Sequence, residues 1–265
     1  MEIKEYVAYR KEELRKEIAN MDCPPKLVII KANDNPASAS YVKGKLKDAE
    51  EVGIKAELIE LDPSISQEEL DKKIEEINAD SSVDGFIVQL PLPKHIDEEK
   101  VKLEVVPEKD VDGFHPCTKF LPCTPKGIVD YLRNEGFDFK GKNALIIGRS
   151  NIVGKPMARI LLEKGYDCNV TVIHSKTSEE DKAYYIAHAD LIIAAVGKIG
   201  VLDDRYSYKK DAVIVDVGIN RGEDGKLHGD ALPNLPVKLQ TPVPGGVGLL
   251  TRISLMENLV EAKRK

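Results

Sequence analysis

The amino-acid sequence predicts an α/β protein of two domains with mostly parallel sheets. Three observations support this. Short β-rich runs alternate with charged amphipathic stretches, the rhythm of strand–helix–strand units. Runs such as Leu27–Ile30 and Ala144–Ile147 are apolar without interruption, as strands covered on both faces are. Residues 107–125 (PEKDVDGFHPCTKFLPCTP) break the rhythm with four prolines and no helical periodicity, and read as an interdomain crossover lying over a cleft.

In chain order, strands are predicted at Lys26–Ala32, Ala56–Leu61 and Gly85–Leu90, then at Ala144–Gly148, Val170–His174, Leu191–Val196 and Ala212–Val217. Helical patterns lie near 38–52, 66–78, 125–135, 153–165 and 179–188, and again at Leu249–Lys265. The helix after the first strand has explicit ends. Asn35 suits the N-cap, Pro36 the first helical position and Gly53 a left-handed stop. The division that follows is an N-terminal domain over 1–120, completed by the helix 249–265, and a second domain over 121–248.

Composition narrows the class. A chain of 265 residues buries a sizeable core without disulfide or metal staples. Its 39 basic and 45 acidic residues give a net charge of −6, unlike the basic footprint of a nucleic-acid binder. Four cysteines make no disulfide framework. The start, MEIKEYVAYRKEELRKE, lacks the apolar segment of a signal peptide, and runs such as Leu191–Val196 are far too short to span a membrane. A cytoplasmic enzyme is the expectation.

Residues Gly148–Pro156 (GRSNIVGKP) form a glycine turn between a strand and a helix, a geometry that aims backbone N–H groups at a phosphate. The spacing is neither a Walker A loop nor a standard G-x-G-x-x-G, so a plain structural turn fits equally well. The next strand ends Ile173-His174-Ser175-Lys176-Thr177, where NAD-selective folds carry an acidic residue for the ribose 2′-hydroxyl. Ser175 repels no 2′-phosphate, and Arg149 and Lys176 attract one. If a dinucleotide binds, this favours NADP over NAD. A solvated loop lysine is the plainer reading of Lys176.

On the helix after Pro36, Val42, Leu46, Ala49 and Val52 form the apolar stripe. Lys45 lies roughly 45° from the stripe centre, nearer than Lys43 or Lys47. A desolvated lysine has a lowered pKa and suits proton transfer, and Tyr41 lies one turn earlier on the same face. Pattern alone favours a snorkelling lysine at the core edge. Gln89 ends an apolar strand, where ligands of open α/β sheets bind, although a glutamine paired with backbone fits as well. Asp112 beside Gly113 suits turn chemistry or, near a cleft, the N–H groups of a heterocycle. The loop Thr241–Gly248 (TPVPGGVG) joins stiff prolines to glycines that allow close approach, as a closure over a planar ligand needs. Cys117 and Cys123, near His115, have no second ligand pair for zinc, and Cys23 and Cys168 read as small apolar residues.

The ordered blocks resemble the bifunctional methylenetetrahydrofolate dehydrogenase/cyclohydrolases, the FolD family. They are Pro36-Ala37-Ser38 with Tyr41-Val42 and Lys45, Gly85-Phe86 through Gln89-Leu90-Pro91-Leu92-Pro93, Lys109–Pro116, Pro122–Gly127, Gly148–Pro156, Val215–Asn220 and the tail loop. The resemblance runs nearly end to end. It implies a Rossmann-type NADP-binding domain beside a folate-binding one, and a homodimer. Lys45 is then the catalytic lysine and Gln89 its hydrogen-bond partner. Tyr41 stacks over the folate and Asp112 binds the pterin edge. Pro244, Gly245 and Gly246 shape the folate cleft. Gly148, Arg149, Ser150, Ser175 and Ile219 contact NADP. One departure is Leu249-Leu250, where the family usually has Pro-Met, and a looser loop is the expectation. The other readings carried forward are a monofunctional dehydrogenase, a shikimate-dehydrogenase-like NADP oxidoreductase and a non-catalytic dinucleotide-binding module.

Overall fold

A computed structural model describes residues 1–264. The elements gather into two units. One comprises Val7–Cys123 and the chain from Arg252 onward; the other comprises Met1–Tyr6 and Thr124–Thr251. Two helices, α1 (Ile3–Ala19) and α8 (Val247–Lys263), run from one unit into the other.

The first unit is built on three parallel strands, β1 (Lys26–Lys31), β2 (Lys55–Glu60) and β3 (Gly85–Gln89), in the order β2-β1-β3. The central strand β1 is buried from Leu27 to Lys31 and β3 throughout, which explains their uninterrupted apolar runs. The edge strand β2 is only half covered. Helix α2 (Pro36–Val52) connects β1 to β2. Asn35 caps it by accepting from Ala37 N at 2.9 Å, and Gly53 ends it at φ 89°. Helix α3 (Gln67–Ala79) starts in a Ser66–Glu69 capping box, and α4 (Glu98–Glu104) follows β3. Val28, Ile30, Phe86 and Val88 pack with Leu70, Ile74 and Val101 as the core. Within α8, Ile253, Leu255, Met256, Leu259 and Val260 are all buried, as a helix apolar on every side must be.

The second unit carries α5 (Cys123–Asn134), most of which lies in it, β4 (Asn143–Ile147), α6 (Gly154–Leu162), β5 (Asn169–Ile173), α7 (Glu179–His188), β6 (Leu191–Ala194) and β7 (Val213–Asp216). A two-residue hairpin, β8 (Asn220–Arg221) with β9 (Leu227–His228), and the short β10 (Leu239–Gln240) complete it. Five parallel strands order as β10-β7-β6-β4-β5. The order reverses between β4 and β6, which makes the carboxyl ends of these strands a topological switch point.

Several expectations need correction. The first residues, read only for the lack of a signal peptide, form the 17-residue α1 with Ile3, Tyr6, Val7, Leu14 and Ile18 buried. Helix α4 was not foreseen, because its seven residues bury only Val101. The proline-rich segment ends inside α5, which starts at Cys123. Cys23 is exposed rather than apolar core, while Cys168 is buried. No helix among the described residues is long and apolar enough to cross a membrane.

Candidate active site

In the first unit the pairing of Lys31 with Gln89 puts Gln89 at the carboxyl end of β3. The chain leaves β1 through Asn33, whose Nδ2 donates to Pro91 O at 2.9 Å and ties the approach to α2 to the end of β3. Helix α2 then brings Lys45 to the same strand end. Lys45 is 4% exposed, and its Nζ donates to Gln89 Oε1 at 3.0 Å. Gln89 is held in turn by its Nε2, which donates to Leu90 O at 2.8 Å. The Tyr41 ring centroid lies 5.0 Å from Nζ. Burial holds the Lys45 pKa below the usual lysine range; Asp112 and Cys123 oppose this and Arg252 adds to it.

Asp112 is half-buried. Burial pushes its carboxyl pKa up, against the pull of Lys45, Cys123 and Lys102. Two groups of opposite charge are thus both biased by burial toward their neutral forms. A cavity of about 20 Å³ adjoins Asp112, lined by Val88, Leu90, Lys102 and Phe114 among others. The turn that presents Asp112 is built by Asp110, which accepts from Gly113 N at 3.1 Å and His115 N at 2.7 Å. Gly113, at φ 83°, is required there, because a Cβ would press on the Pro122 backbone with Cα 2.7 Å away.

In the second unit β4 and β5 end side by side, with Gly148 N donating to Ile173 O at 2.9 Å. Gly148 has φ 116°, and a Cβ on it would strike the backbone of Ala195, beyond the end of β6. A Cβ on Gly154 would lie 2.9 Å from Arg149 Cα. The turn at the switch point is therefore cleared of side chains. Arg149, Ser150, Ser175 and Lys176 are all exposed around it. The Ser150 hydroxyl accepts from Val153 N at 3.1 Å and Gly154 N at 3.3 Å and so closes the turn that leads into α6. Those N–H groups, expected to point at a phosphate, are already engaged.

Ile219 and the tail loop come together in the same unit. Pro244, Gly245 and Gly246 line a cavity of about 60 Å³ with Ile219, Asp216 and Gly218. At the family departure, Leu249 N donates to Gly246 O at 2.9 Å, a bond that proline cannot make. Leu250 is fully buried. The loop end is tied rather than loosened.

The structure adds residues that the sequence reading passed over. Asp48 and Ser38 share the buried face of α2 with Lys45, and Arg252 of α8 lies across Gly44. Gly44, a glycine inside a helical pattern, was the available signal. In the second unit Asp216 accepts from Gly218 N, Asp230 N and Ala231 N at 2.8–2.9 Å. Asp230 accepts from Val196 N, Gly197 N and Lys198 N at 2.6–3.0 Å and from Asn220 Nδ2 at 3.0 Å. This pair fastens the segments after β6 and β7 beside the glycine turn. No sequence pattern announced it.

Comparisons with known proteins agree with this geometry. Residues 1–112 match the family model for the catalytic domain of tetrahydrofolate dehydrogenase/cyclohydrolase, and residues 122–265 match its NAD(P)-binding domain. The bifunctional protein FolD of Ligilactobacillus salivarius is 46% identical, over 89% of this chain and 86% of its own length. The bifunctional FolD methylenetetrahydrofolate dehydrogenase/cyclohydrolase of Campylobacter jejuni has a TM-score of 0.94 at 41% identity, covering 99% of this chain and 97% of that one. The Trypanosoma brucei enzyme, solved with NADP cofactor and an inhibitor, has a TM-score of 0.92 at 29% identity, over 100% of this chain and 97% of its own. Shikimate 5-dehydrogenase of Thermus thermophilus, at a TM-score of 0.51 and 19% identity, shares the fold alone.

Proposed function

The chain belongs to the tetrahydrofolate dehydrogenase/cyclohydrolase family, and on that premise we propose how its own residues divide the two reactions. It is a bifunctional enzyme of one-carbon folate metabolism. The first reaction oxidises 5,10-methylenetetrahydrofolate to 5,10-methenyltetrahydrofolate, and the second hydrolyses that cation to 10-formyltetrahydrofolate.

NADP is the cofactor in this reading. The cleared turn at Gly148 and Gly154 leaves room for its phosphates, Arg149 after β4 and Lys176 after β5 supply cations, and Ser175 stands in place of a carboxylate at the end of β5. When bound, it supplies the hydride acceptor for the methylene carbon. Gly148, Arg149, Ser150, Ser175 and Ile219 hold it, while Tyr41 stacks on the folate, Asp112 takes its polar edge and Pro244–Gly246 enclose it. The folate domain is 1–120 with 249–265, and the NADP domain is 121–248.

Lys45 carries the hydrolysis. Its amine accepts a proton from water as the water oxygen bonds to the methenyl carbon. The ammonium returns that proton to the ring nitrogen as the C–N bond breaks, and the remaining hydroxyl proton passes to solvent. The observation behind this role is a lysine shielded from water whose Nζ is held by Gln89 at 3.0 Å. Lys45→Met is expected to cut hydrolysis by about a thousandfold, a general acid–base contribution, and to keep folate and NADP binding. Full hydrolysis by the variant refutes the role and assigns the proton transfers to other residues. Arg149→Ala is expected to raise the KM for NADP⁺ about tenfold and that for NAD⁺ little, and equal rises refute the 2′-phosphate contact. The proposal includes a cytoplasmic homodimer, as the resemblance implies. Sedimentation equilibrium at the mass of one 29.3 kDa chain refutes the dimer.

A further inference from the structure

Gly44 occupies the middle of α2, where glycine is among the poorest helix formers. A neighbour explains it. A Cβ at Gly44 would drive into the Arg252 guanidinium, whose Cζ would be 3.0 Å away. Arg252 crosses α2 over this glycine and places its Nε 2.9 Å from Asp48 Oδ2, in an ion pair. Asp48 is 3% exposed, and its other oxygen pairs with Lys11 of α1. A bare glycine and a buried carboxylate, itself shared with a second cation, thus seat Arg252 of α8 over Gly44, the residue that precedes Lys45 in α2.

Other elements also face Lys45. Gln89 comes from β3, Asp112 from the turn before α5, Cys123 from the start of α5 and Tyr41 from one turn earlier in α2. Asp112 and Cys123 favour the ammonium, and Arg252 disfavours it. A guanidinium stays charged throughout the working pH range, so its influence is constant.

We propose that Arg252, seated over Gly44 and anchored on Asp48, is a positioning residue for the cyclohydrolase reaction, holding a fixed positive charge against the helix face from which Lys45 works. This rests on Lys45 being the proton shuttle. Removing the cation leaves Asp48 facing that side with only Lys11 to balance it, so the ammonium gains.

The test is the pH–rate profile of hydrolysis by the full chain, followed by the loss of methenyl-folate absorbance. Arg252→Met is expected to move the acidic limb upward by about half a pH unit, slowing hydrolysis roughly threefold on that limb. The effect falls on kcat and not on the folate KM. Arg252→Lys keeps the charge and is expected to keep most of the native limb. Gly44→Ala keeps every charge and improves helix propensity, so the fold survives while the guanidinium is pushed from its seat. A smaller shift in the same direction is expected. If Arg252→Met does not fold, Gly44→Ala decides alone. Unmoved limbs in the folded variants, beside an inactive Lys45→Met, overturn this proposal and spare the lysine assignment. Hydrolysis retained by Lys45→Met overturns both.

Discussion

The two units bury charge in opposite ways. Asp216 and Asp230 are 2% and 0% exposed, and each accepts from three backbone N–H groups, Asp230 from Asn220 as well. Lys45 is almost as buried, yet the hydrogen bond that holds it runs to one amide oxygen of Gln89. The first arrangement meets the carboxylates with many N–H donors and locks loops in place, although burial still pushes the Asp216 carboxyl up. The second leaves the charge under-compensated, so its protonation responds to small changes nearby. Backbone donors make a buried charge architectural, and their scarcity makes one reactive.

The sharpest way to break that contrast is to remove the backbone-satisfied charge. Asp230→Ala strands the N–H groups of Val196, Gly197 and Lys198 and the amide of Asn220. The expected loss is about 4 kcal/mol for the second unit, read from its urea or thermal transition. The NADP⁺ KM should rise too, because Asn220 and residues 196–198 border the switch point. A loss under about 1 kcal/mol would mean that water replaces the carboxylate, and the architectural reading of this pair would fail.

How far this was legible in the sequence follows from the same contrast. Features that depend on local chemistry were readable. Asn35, Pro36 and Gly53 bound α2, and central strands such as β1 and β4 announce themselves as apolar runs. Lys45 was readable only as a position near an apolar stripe, which on pattern favoured a snorkelling lysine. Its surroundings are completed by distant residues such as Gln89, 44 positions away in the chain. Asp48 on the buried face contradicts the stripe rule, because its partners Lys11 and Arg252 come from the two ends of the chain. The Asp216–Asp230 pair was unreadable because its partners are backbone groups, which carry no residue signature. Helix α1 is legible in the helical spacing of Ile3, Val7, Leu14 and Ile18, all of them buried.

Asp110 tests the middle of the scale. It is 4% exposed and accepts from Gly113 N at 3.1 Å and His115 N at 2.7 Å, with the Phe114 N–H also favouring its carboxylate. Burial pushes its pKa up to about 6, and the Asp112 charge adds to this against the pull of the N–H donors. Between about pH 4 and 6 the folded protein therefore keeps a proton that the unfolded chain has released. The stabilisation is fully present below the unfolded pKa and is lost as pH rises through about 6. Asp110→Asn keeps a neutral group at every pH. Its stability relative to the native chain should improve by up to ~3 kcal/mol on going from pH 4 to 7. Urea titrations at both pH values measure it. A difference independent of pH would mean that the N–H donors offset the burial of Asp110 completely.

The smallest effect is expected at the lysine itself. Gln89→Glu keeps the shape of the side chain but sets a carboxylate beside an Nζ that now meets an amide oxygen at 3.0 Å. An adjacent anion favours the ammonium, so the acidic limb of hydrolysis should move up by about one pH unit. That corresponds to roughly tenfold slower turnover on the limb, or about 1.4 kcal/mol. The substitution also removes the donor that Gln89 offers to Leu90 O at 2.8 Å, so a structural loss must be separated from an electrostatic one. Gln89→Met supplies that control, because it removes the donor without adding charge. If both variants move the limb equally, the hydrogen bond matters and the charge does not. If only Gln89→Glu moves it, the sparse polar surroundings of Lys45 set its protonation, and the neutral amide at the end of β3 is what keeps the lysine in its reactive form.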